Sequence, residues 1–197
     1  MGQRSQIYIR FYDKNENRQE LCALYFQWLY GDFMISRARH GIEWMQERKF
    51  DMWYYKKYLQ KVFEVNFDIR DVTFSCDILK EWAEFEKLGG TTARNYIFYG
   101  QDNNDGKLFI DIDKDGNIKY CFTDDELNIL SAENYMKWDE PDFLKRPNKN
   151  AIETCKNNIE WLNNNAVLMN RKELNNFIDA DYSKQLNELL KANAPKF

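Results

Sequence analysis

The stretch that decides the fold lies near the beginning of the chain and reads Gln6-Ile7-Tyr8-Ile9-Arg10-Phe11-Tyr12. Its apolar residues at 7, 9 and 11 alternate with Tyr and Arg, which is the period of two that is typical of a β-strand. A polar turn at 14–17 and a second strand-like run from Glu20 to about Trp28 follow. The two runs predict an opening β-hairpin.

Helical patterns occupy the middle of the chain. Gly31-Asp32 predicts the start of a helix with Asp32 as its cap, and Asp51 is expected to cap a second helix. A third helix is predicted at about 76–87, after a Ser75 cap, and is expected to stop at Gly89-Gly90.

The second half of the chain returns to strands and then to helices. Asn95–Tyr99 is predicted to be a strand, and a short helix is expected after Ser131. Further helices are expected at about 150–162 and from Arg171, where Asn170 and Glu173 have the spacing of a capping box. We therefore expect one α+β domain over residues 1–197. Its one antiparallel sheet of about four or five strands is expected to pack against helices from the middle and C-terminal third.

One segment, Asp111-Ile112-Asp113-Lys114-Asp115-Gly116-Asn117-Ile118, matches the first half of an EF-hand calcium loop. The twelfth position of that loop must supply a bidentate Glu, but here it is Phe122. Alternating apolar residues on both sides predict a β-hairpin that places Ile112 opposite Ile118 across a three-residue turn with Gly116 left-handed. The same register sets Asp111 opposite Lys119, a favourable cross-strand pair. We therefore predict a hairpin and no metal site.

Several functional classes lack their usual sequence signals. The chain has no apolar run long enough for a membrane helix and no signal-peptide pattern at its start, so a cytoplasmic protein is expected. His40 is the only histidine, and no Gly-rich phosphate loop is present, so neither a zinc site nor a cofactor is expected. The four cysteines form no Cys-x-x-Cys pair and are expected to be reduced, buried thiols: Cys22, Cys76, Cys121 and Cys155.

Charge is segregated along the chain. Residues 101–142 contain 12 Asp and Glu against 4 Lys, a local balance of −8, whereas the whole chain carries only −4. The simpler interpretation is a solvated hairpin with its loops. The functional interpretation is an acidic face that docks on a basic cleft of another protein. The residues expected to form it are Asp102, Asp105, Asp111, Asp113, Asp124, Asp125 and Glu126.

The first seventy residues carry 12 basic against 9 acidic groups, with Trp and Tyr between them. They supply an alternative basic and aromatic patch, composed of Arg4, Arg37, Arg39, His40 and Trp28. Such a patch suits nucleic acid, but the negative net charge argues against tight direct binding. A small enzyme with a site assembled from Arg4, Arg37, Asp32 and His40 is a second alternative.

Three segments carry a resemblance to known proteins: Met1-Gly2-Gln3-Arg4-Ser5-Gln6-Ile7-Tyr8-Ile9, Tyr25-Phe26-Gln27-Trp28-Leu29-Tyr30-Gly31 and Ser36-Arg37-Ala38-Arg39. Together with the acidic segment at 105–111, they resemble small, mostly uncharacterised proteins encoded by phages and mobile elements of Gram-positive bacteria. The resemblance implies an accessory gene of a mobile element. Inhibitors of host defence, including anti-CRISPR proteins, are common in that setting. It supplies no catalytic residues.

Taken together, these observations favour a non-enzymatic binding protein. The expected partner is a bacterial defence nuclease, with a CRISPR effector as the foremost class, met in the cytoplasm of the bacterial host. The Asp and Glu side chains would steer association, and aromatic side chains would anchor the interface.

Overall fold

The computed structural model describes residues 4–27, 31–48, 52–64, 73–86 and 92–192. The strands are β1 Arg4–Asp13, β2 Arg18–Gln27, β3 Thr73–Asp77, β4 Lys107–Ile112, β5 Ile118–Thr123, β6 Ile129–Leu130 and β7 Val167–Leu168. The helices are α1 Gly31–Arg48, α2 Met52–Glu64, α3 Ile78–Glu86, α4 Ala93–Tyr99, α5 Ala132–Asp139, α6 Lys149–Asn165, α7 Arg171–Ile178 and α8 Ser183–Ala192. None of the helices in these ranges has the length and apolarity that crossing a membrane requires.

The opening hairpin is confirmed. β1 and β2 pair antiparallel over their whole length, from Arg4 opposite Gln27 to Asp13 opposite Arg18. Strand β1 is buried on both of its faces, since Ile7 and Tyr8 point to opposite sides and both are 0% exposed. A strand of this kind needs a helical layer on each side of the sheet.

The sheet is mixed, which corrects the predicted antiparallel sheet of four or five strands. Its order is β3-β2-β1-β4-β5-β6, and β7 pairs with β5 as a seventh strand. β1 and β4 run parallel, with Gln6 beside Lys107 and Phe11 beside Ile112. A connection that contains α3 and α4 leads from β3 to β4, and parallel pairing needs a long helical connection of this type.

Two hydrophobic cores lie on opposite faces of the sheet. On one face, Ile7, Ile9 and Ile110 pack against apolar residues of α1, α2, α5 and α6. On the other, Tyr8 and Phe109 pack against α3, α4, α7 and α8. The architecture is therefore a three-layer α/β/α sandwich within the α+β class.

The predicted helix starts are only partly correct. The third helix begins at Ile78, and Asp77 caps it by accepting hydrogen bonds from the N–H groups of Leu79 and Lys80 at 3.1 and 3.2 Å. Ser75 is not the cap, because it lies within β3. Asp32, the predicted cap of the first helix, lies inside α1, and Asp51, the predicted cap of the second, lies outside the described residues.

The short helix after Ser131 and the capping box at Asn170 are confirmed. The Ser131 hydroxyl accepts from the N–H of Asn134 at the start of α5. Asn170 and Glu173 form a complete capping box at the start of α7.

The strand predicted at Asn95–Tyr99 is wrong, because these residues belong to helix α4. Ile97 and Phe98 are both buried against the sheet. Carbonyl groups near the end of this helix accept hydrogen bonds from buried donors. The Tyr8 hydroxyl donates to Ile97 at 2.7 Å, and the Lys107 ammonium donates to Phe98 at 3.1 Å.

The hairpin of β4 and β5 is confirmed, with Ile112 opposite Ile118 and Asp111 opposite Lys119. Gly116 has a left-handed φ of 92°. The predicted Asp111–Lys119 ion pair is corrected, because Asp111 binds Arg10 and the Lys119 ammonium lies 2.6 Å from Glu173.

Candidate functional site

Five of the seven predicted acidic residues lie at one end of the sheet, which we call the acidic end: Asp102, Asp105, Asp124, Asp125 and Glu126. The register explains this placement. Lys107 at the start of β4 pairs with Gln6 on one side and with Thr123 at the end of β5 on the other. The loop before β4 and the turn after β5 therefore lie at the same end of the sheet. Strand pairing, and not proximity in sequence, assembles these carboxylates.

The loop before β4 is held by the first residues of β1. The N–H of Arg4 donates to Asn104 Oδ1 at 2.7 Å and to Asp105 Oδ2 at 2.6 Å. The Arg4 guanidinium forms an ion pair with Asp102. Gly106 has a φ of 79°, and a Cβ added there would lie 2.5 Å from the Thr123 carbonyl oxygen. Only glycine allows so close an approach, so the loop is fixed against β5.

Asp105 is the half-buried member of the acidic end. Burial raises its pKa to about 6, and the neighbouring Glu140 charge acts in the same direction, whereas the hydrogen bond from the Arg4 N–H opposes both. The Tyr135 hydroxyl donates to the Asp105 carbonyl oxygen. The Asp105 carboxylate therefore titrates closer to neutrality than an ordinary Asp.

The turn after β5 presents two of the charges to solvent. Asp124 uses its own carboxylate to close the turn, accepting from the N–H and the side-chain amide of Asn128, both at 2.8 Å. Asp125 and Glu126 at the turn's tip are exposed. Lys107 lies buried nearby. Burial lowers the pKa of its ammonium, and Asp125 and Asp124 oppose that shift.

An exposed aromatic side chain borders the acidic end. Trp138 on α5 is 37% exposed, and its ring lies 5.9 Å from that of Tyr135. A Cβ at Gly106 would be 3.1 Å from the Trp138 ring, which places the indole directly beside the acidic loop. Sequence reasoning did not single out Trp138, although it lies within the acidic range 101–142.

A hollow of about 440 Å³ lies between α5 and α6. Its apolar lining comes from Met136, Phe143, Leu144, Cys155 and Ile159. Glu133, Glu140 and Glu160 also line it, together with Lys137 and Lys156. The Arg146 guanidinium pairs with Glu140 at 2.8 Å. Glu140, which lines the hollow, also acts to raise the pKa of Asp105.

The other two predicted acidic residues lie toward the opposite end of β4. Asp111 forms a two-pronged ion pair with Arg10, at 2.8 and 2.6 Å, and its side chain is only 17% exposed. Asp113 closes the β4–β5 turn by accepting from the N–H groups of Asp115 and Asn117. Both carboxylates therefore have structural partners away from the acidic end.

The alternative basic patch is distributed over different surroundings. Arg37 is 3% exposed and donates to the Phe63 carbonyl oxygen. Arg39 donates to Asn158 Oδ1 at 2.9 Å and lies over the Trp161 ring. Arg4 belongs to the acidic end, and Trp28 lies outside the described residues.

His40 belongs to a second feature, a groove of about 370 Å³ between α1 and α2 that we call the aromatic groove. Its lining residues are His40, Trp44, Arg48, Tyr54, Tyr58, Lys61 and Val62. Burial lowers the pKa of His40, nearby Arg37 acts in the same direction, and Glu43 and Glu47 oppose it. The spacing of four residues along each helix was the sequence signal that could have revealed this groove.

All four cysteines are free thiols, two of them buried and two partly buried. Burial is the main cause that raises the pKa of Cys76 and of Cys121, each to about 12. Across the described ranges, no group of three or more His, Cys, Asp or Glu side chains is placed to hold a metal ion.

The acidic end combines clustered carboxylates, an exposed indole and an adjoining apolar hollow, which is chemistry suited to docking a basic surface. Comparisons with protein-family models, with curated proteins and with solved structures give no significant match.

Proposed function

We propose that the protein is a non-enzymatic inhibitor that binds a bacterial defence nuclease through its acidic end. The observation that carries the proposal is the position of Trp138, an exposed indole beside the loop that contains the half-buried Asp105. Interfaces concentrate their binding energy in aromatic anchors, and surrounding charges steer the encounter.

The charges suit a basic partner. Five carboxylates gather at this end, and the cations beside them already have partners: Arg4 pairs with Asp102, the buried Lys107 donates to the Phe98 carbonyl, and Arg171 donates to the Leu127 carbonyl. Nucleases that bind DNA or RNA expose basic clefts to attract phosphates. An acidic surface can therefore compete with the nucleic acid for the cations of such a cleft. The resemblance to phage and mobile-element proteins supports a defence nuclease as the partner. We expect the protein to act in the cytoplasm of the bacterial host.

The apolar hollow supplies the second part of the interface. Its volume lies within the roughly 300–1,000 Å³ of pockets that receive a bound side chain or ligand. Leu144 at its wall is 61% exposed, which leaves apolar surface for a partner to cover. We expect a basic segment of the nuclease to pair with the acidic end while an apolar side chain of that segment enters the hollow.

Replacement of the indole tests this proposal. Trp138→Ala is expected to weaken inhibition of a CRISPR effector by roughly thirtyfold, because loss of an interface hot spot costs about 2 kcal/mol or more. The measurement is DNA cleavage by purified effectors, each titrated with wild-type or variant protein.

Tyr54→Ala is the matched control, because Tyr54 on α2 is a ring that is 39% exposed outside the acidic end. It should inhibit as wild type does. Equal inhibition by Trp138→Ala and wild type, or no inhibition of any effector, would contradict the proposal.

A further inference from the structure

The aromatic groove is built from two facing stripes of side chains. On α1 the stripe is His40, Trp44 and Arg48, spaced by four residues, and on α2 it includes Tyr54, Tyr58 and Lys61. Side chains at this spacing lie on one side of a helix. From His40 to Arg48 the α1 stripe rises by eight residue steps, or about 12 Å along an α-helix. The groove is therefore longer than a single nucleobase.

Cations accompany the rings in and beside the groove. The Arg48 guanidinium lies 5.3 Å from the centre of the Trp44 ring, and the Lys57 ammonium lies 5.2 Å from that of Tyr58. Among the described lining residues, none is a carboxylate. The nearest acidic neighbours on α1 are paired, Glu47 with Arg48 at 2.6 Å and Glu43 with Arg39 at 3.9 Å.

The rings of the groove are not all required by the core. On α2, Tyr55 and Leu59 are each 2% exposed and fill the core, whereas Tyr54 on the same helix is 39% exposed. Tyr54 and Tyr58 lie 5.6 Å apart with their planes inclined by 32°. Lys57 and Lys61 are exposed beside them. The helix thus divides into a core side and a side that displays aromatic faces and ammonium groups to solvent.

We propose that the aromatic groove binds single-stranded nucleic acid. Bases stack on Trp44, Tyr54 and Tyr58, and phosphates approach Arg48, Lys57 and Lys61. Aromatic platforms lined by cations suit single strands, because unpaired bases expose the faces that a duplex keeps stacked. This proposal is independent of the acidic end. The negative net charge of the chain predicted no tight binding of nucleic acid. We nevertheless expect binding here, because the local charge of the groove is positive.

Fluorescence anisotropy tests the proposal with a short fluorescein-labelled oligothymidylate at low ionic strength. Wild-type protein should bind it, and affinity should fall steeply with added salt, because phosphate contacts release counterions. Tyr54→Ala is expected to weaken binding by about tenfold, within the range of base–aromatic stacking. Lys61→Ala should weaken binding and reduce its salt dependence.

Both variants replace exposed side chains, so the fold should survive, and unchanged melting temperatures would confirm that. Tyr99→Ala, an exposed ring on α4 with Arg94 and Lys107 near it, is the matched control and should bind as wild type does. An absence of wild-type binding at the lowest salt would overturn the proposal. So would Tyr54→Ala binding equal to that of wild type, or a duplex of the same length binding as tightly as the single strand.

Discussion

At the scale of single residues, Asp105 links the fold to the proposed docking surface. Its carboxylate accepts from the Arg4 N–H at 2.6 Å, and its backbone carbonyl accepts from Tyr135. Partial burial is the main reason that its pKa rises to about 6. Nothing in the sequence around Asp105 distinguishes it from Asp102, because its burial depends on β1 and α5. The raised pKa makes Asp105 the best group at the acidic end for a pH experiment.

Asp105 is expected to reduce stability as the pH rises from about 4 to about 6. In that interval the folded Asp105 still holds its proton whereas the unfolded side chain has lost it, so the free energy of unfolding falls with rising pH. Asp105→Asn keeps an acceptor for Arg4 and has no proton to lose. It should be more stable than wild type at pH 7 by about 1 kcal/mol, after allowance for solvent screening.

The measurement is urea denaturation of both proteins from pH 4 to pH 7. The difference between the two proteins isolates Asp105, because groups such as Asp13 and Asp113, whose pKa values are lowered, change both curves alike. A constant difference over this interval would show that Asp105 titrates normally.

At the scale of elements, three tight turns share one device. An Asp carboxylate closes each turn from its first residue: Asp13, Asp113 and Asp124. In each case an Asn follows four positions later, at 17, 117 and 128. The sequence predicted the first two turns from the strands beside them. The third has the same spacing but was missed, because β6 is only two residues long and its side chains show no alternation.

Helix α4 could not have been predicted from its own residues. The run Asn95–Tyr99 is rich in aromatic residues, which favours a strand in isolation. The helix forms because tertiary contacts satisfy its end. Tyr8 of β1, which lies 89 residues away in the sequence, donates to the carbonyl oxygen of Ile97, and Lys107 of β4 donates to that of Phe98. Local propensity is overridden where long-range hydrogen bonds replace the missing helical partners.

The β4–β5 turn is expected to depend on the Asp113 carboxylate and not on calcium. Asp113→Ala removes acceptors for Asp115 and Asn117 and should lower the free energy of unfolding by about 1–2 kcal/mol. Asp113→Asn retains one acceptor oxygen and should cost less. Thermal denaturation of the three proteins, with and without millimolar calcium, measures both effects. Stabilisation of wild type by calcium that either substitution abolishes would indicate a metal site in this turn.

At the scale of the whole molecule, the sequence predicted the α+β class but not the arrangement of the sheet. The alternation in β1 indicated two different faces, and Tyr8 and Arg10 were expected to oppose Ile7 and Ile9. What the pattern did not reveal is that both faces are covered. Tyr8 is as buried as Ile7, and Arg10 is buried because it pairs with Asp111 on β4. Pairing between strands about a hundred residues apart leaves no local signal.

Strand pairing over long sequence distances also explains why the sequence predicted only part of the candidate site. The acidic residues were identified from local charge, but their grouping required the strand register. Because β4 pairs with β5 from Lys107 opposite Thr123, the turn with Asp124, Asp125 and Glu126 lies beside Asp105. Asp113 lies at the other end of β5. Trp138 and the hollow are part of the candidate site because α5 packs against the sheet, which the sequence did not predict.

The most direct test of the acidic end compares two exposed aspartates in the turns at opposite ends of β5. Asp125→Lys reverses a charge at the acidic end, and Asp115→Lys reverses one at the far turn, with the same change in net charge. The measurement is the association rate with an inhibited nuclease, at about 0.1 M and about 1 M salt, where the Debye length shrinks from about 10 Å to about 3 Å. We predict that Asp125→Lys slows association several-fold at low salt, that Asp115→Lys has much less effect, and that high salt removes the difference. Equal rates for the two variants at low salt would contradict the account.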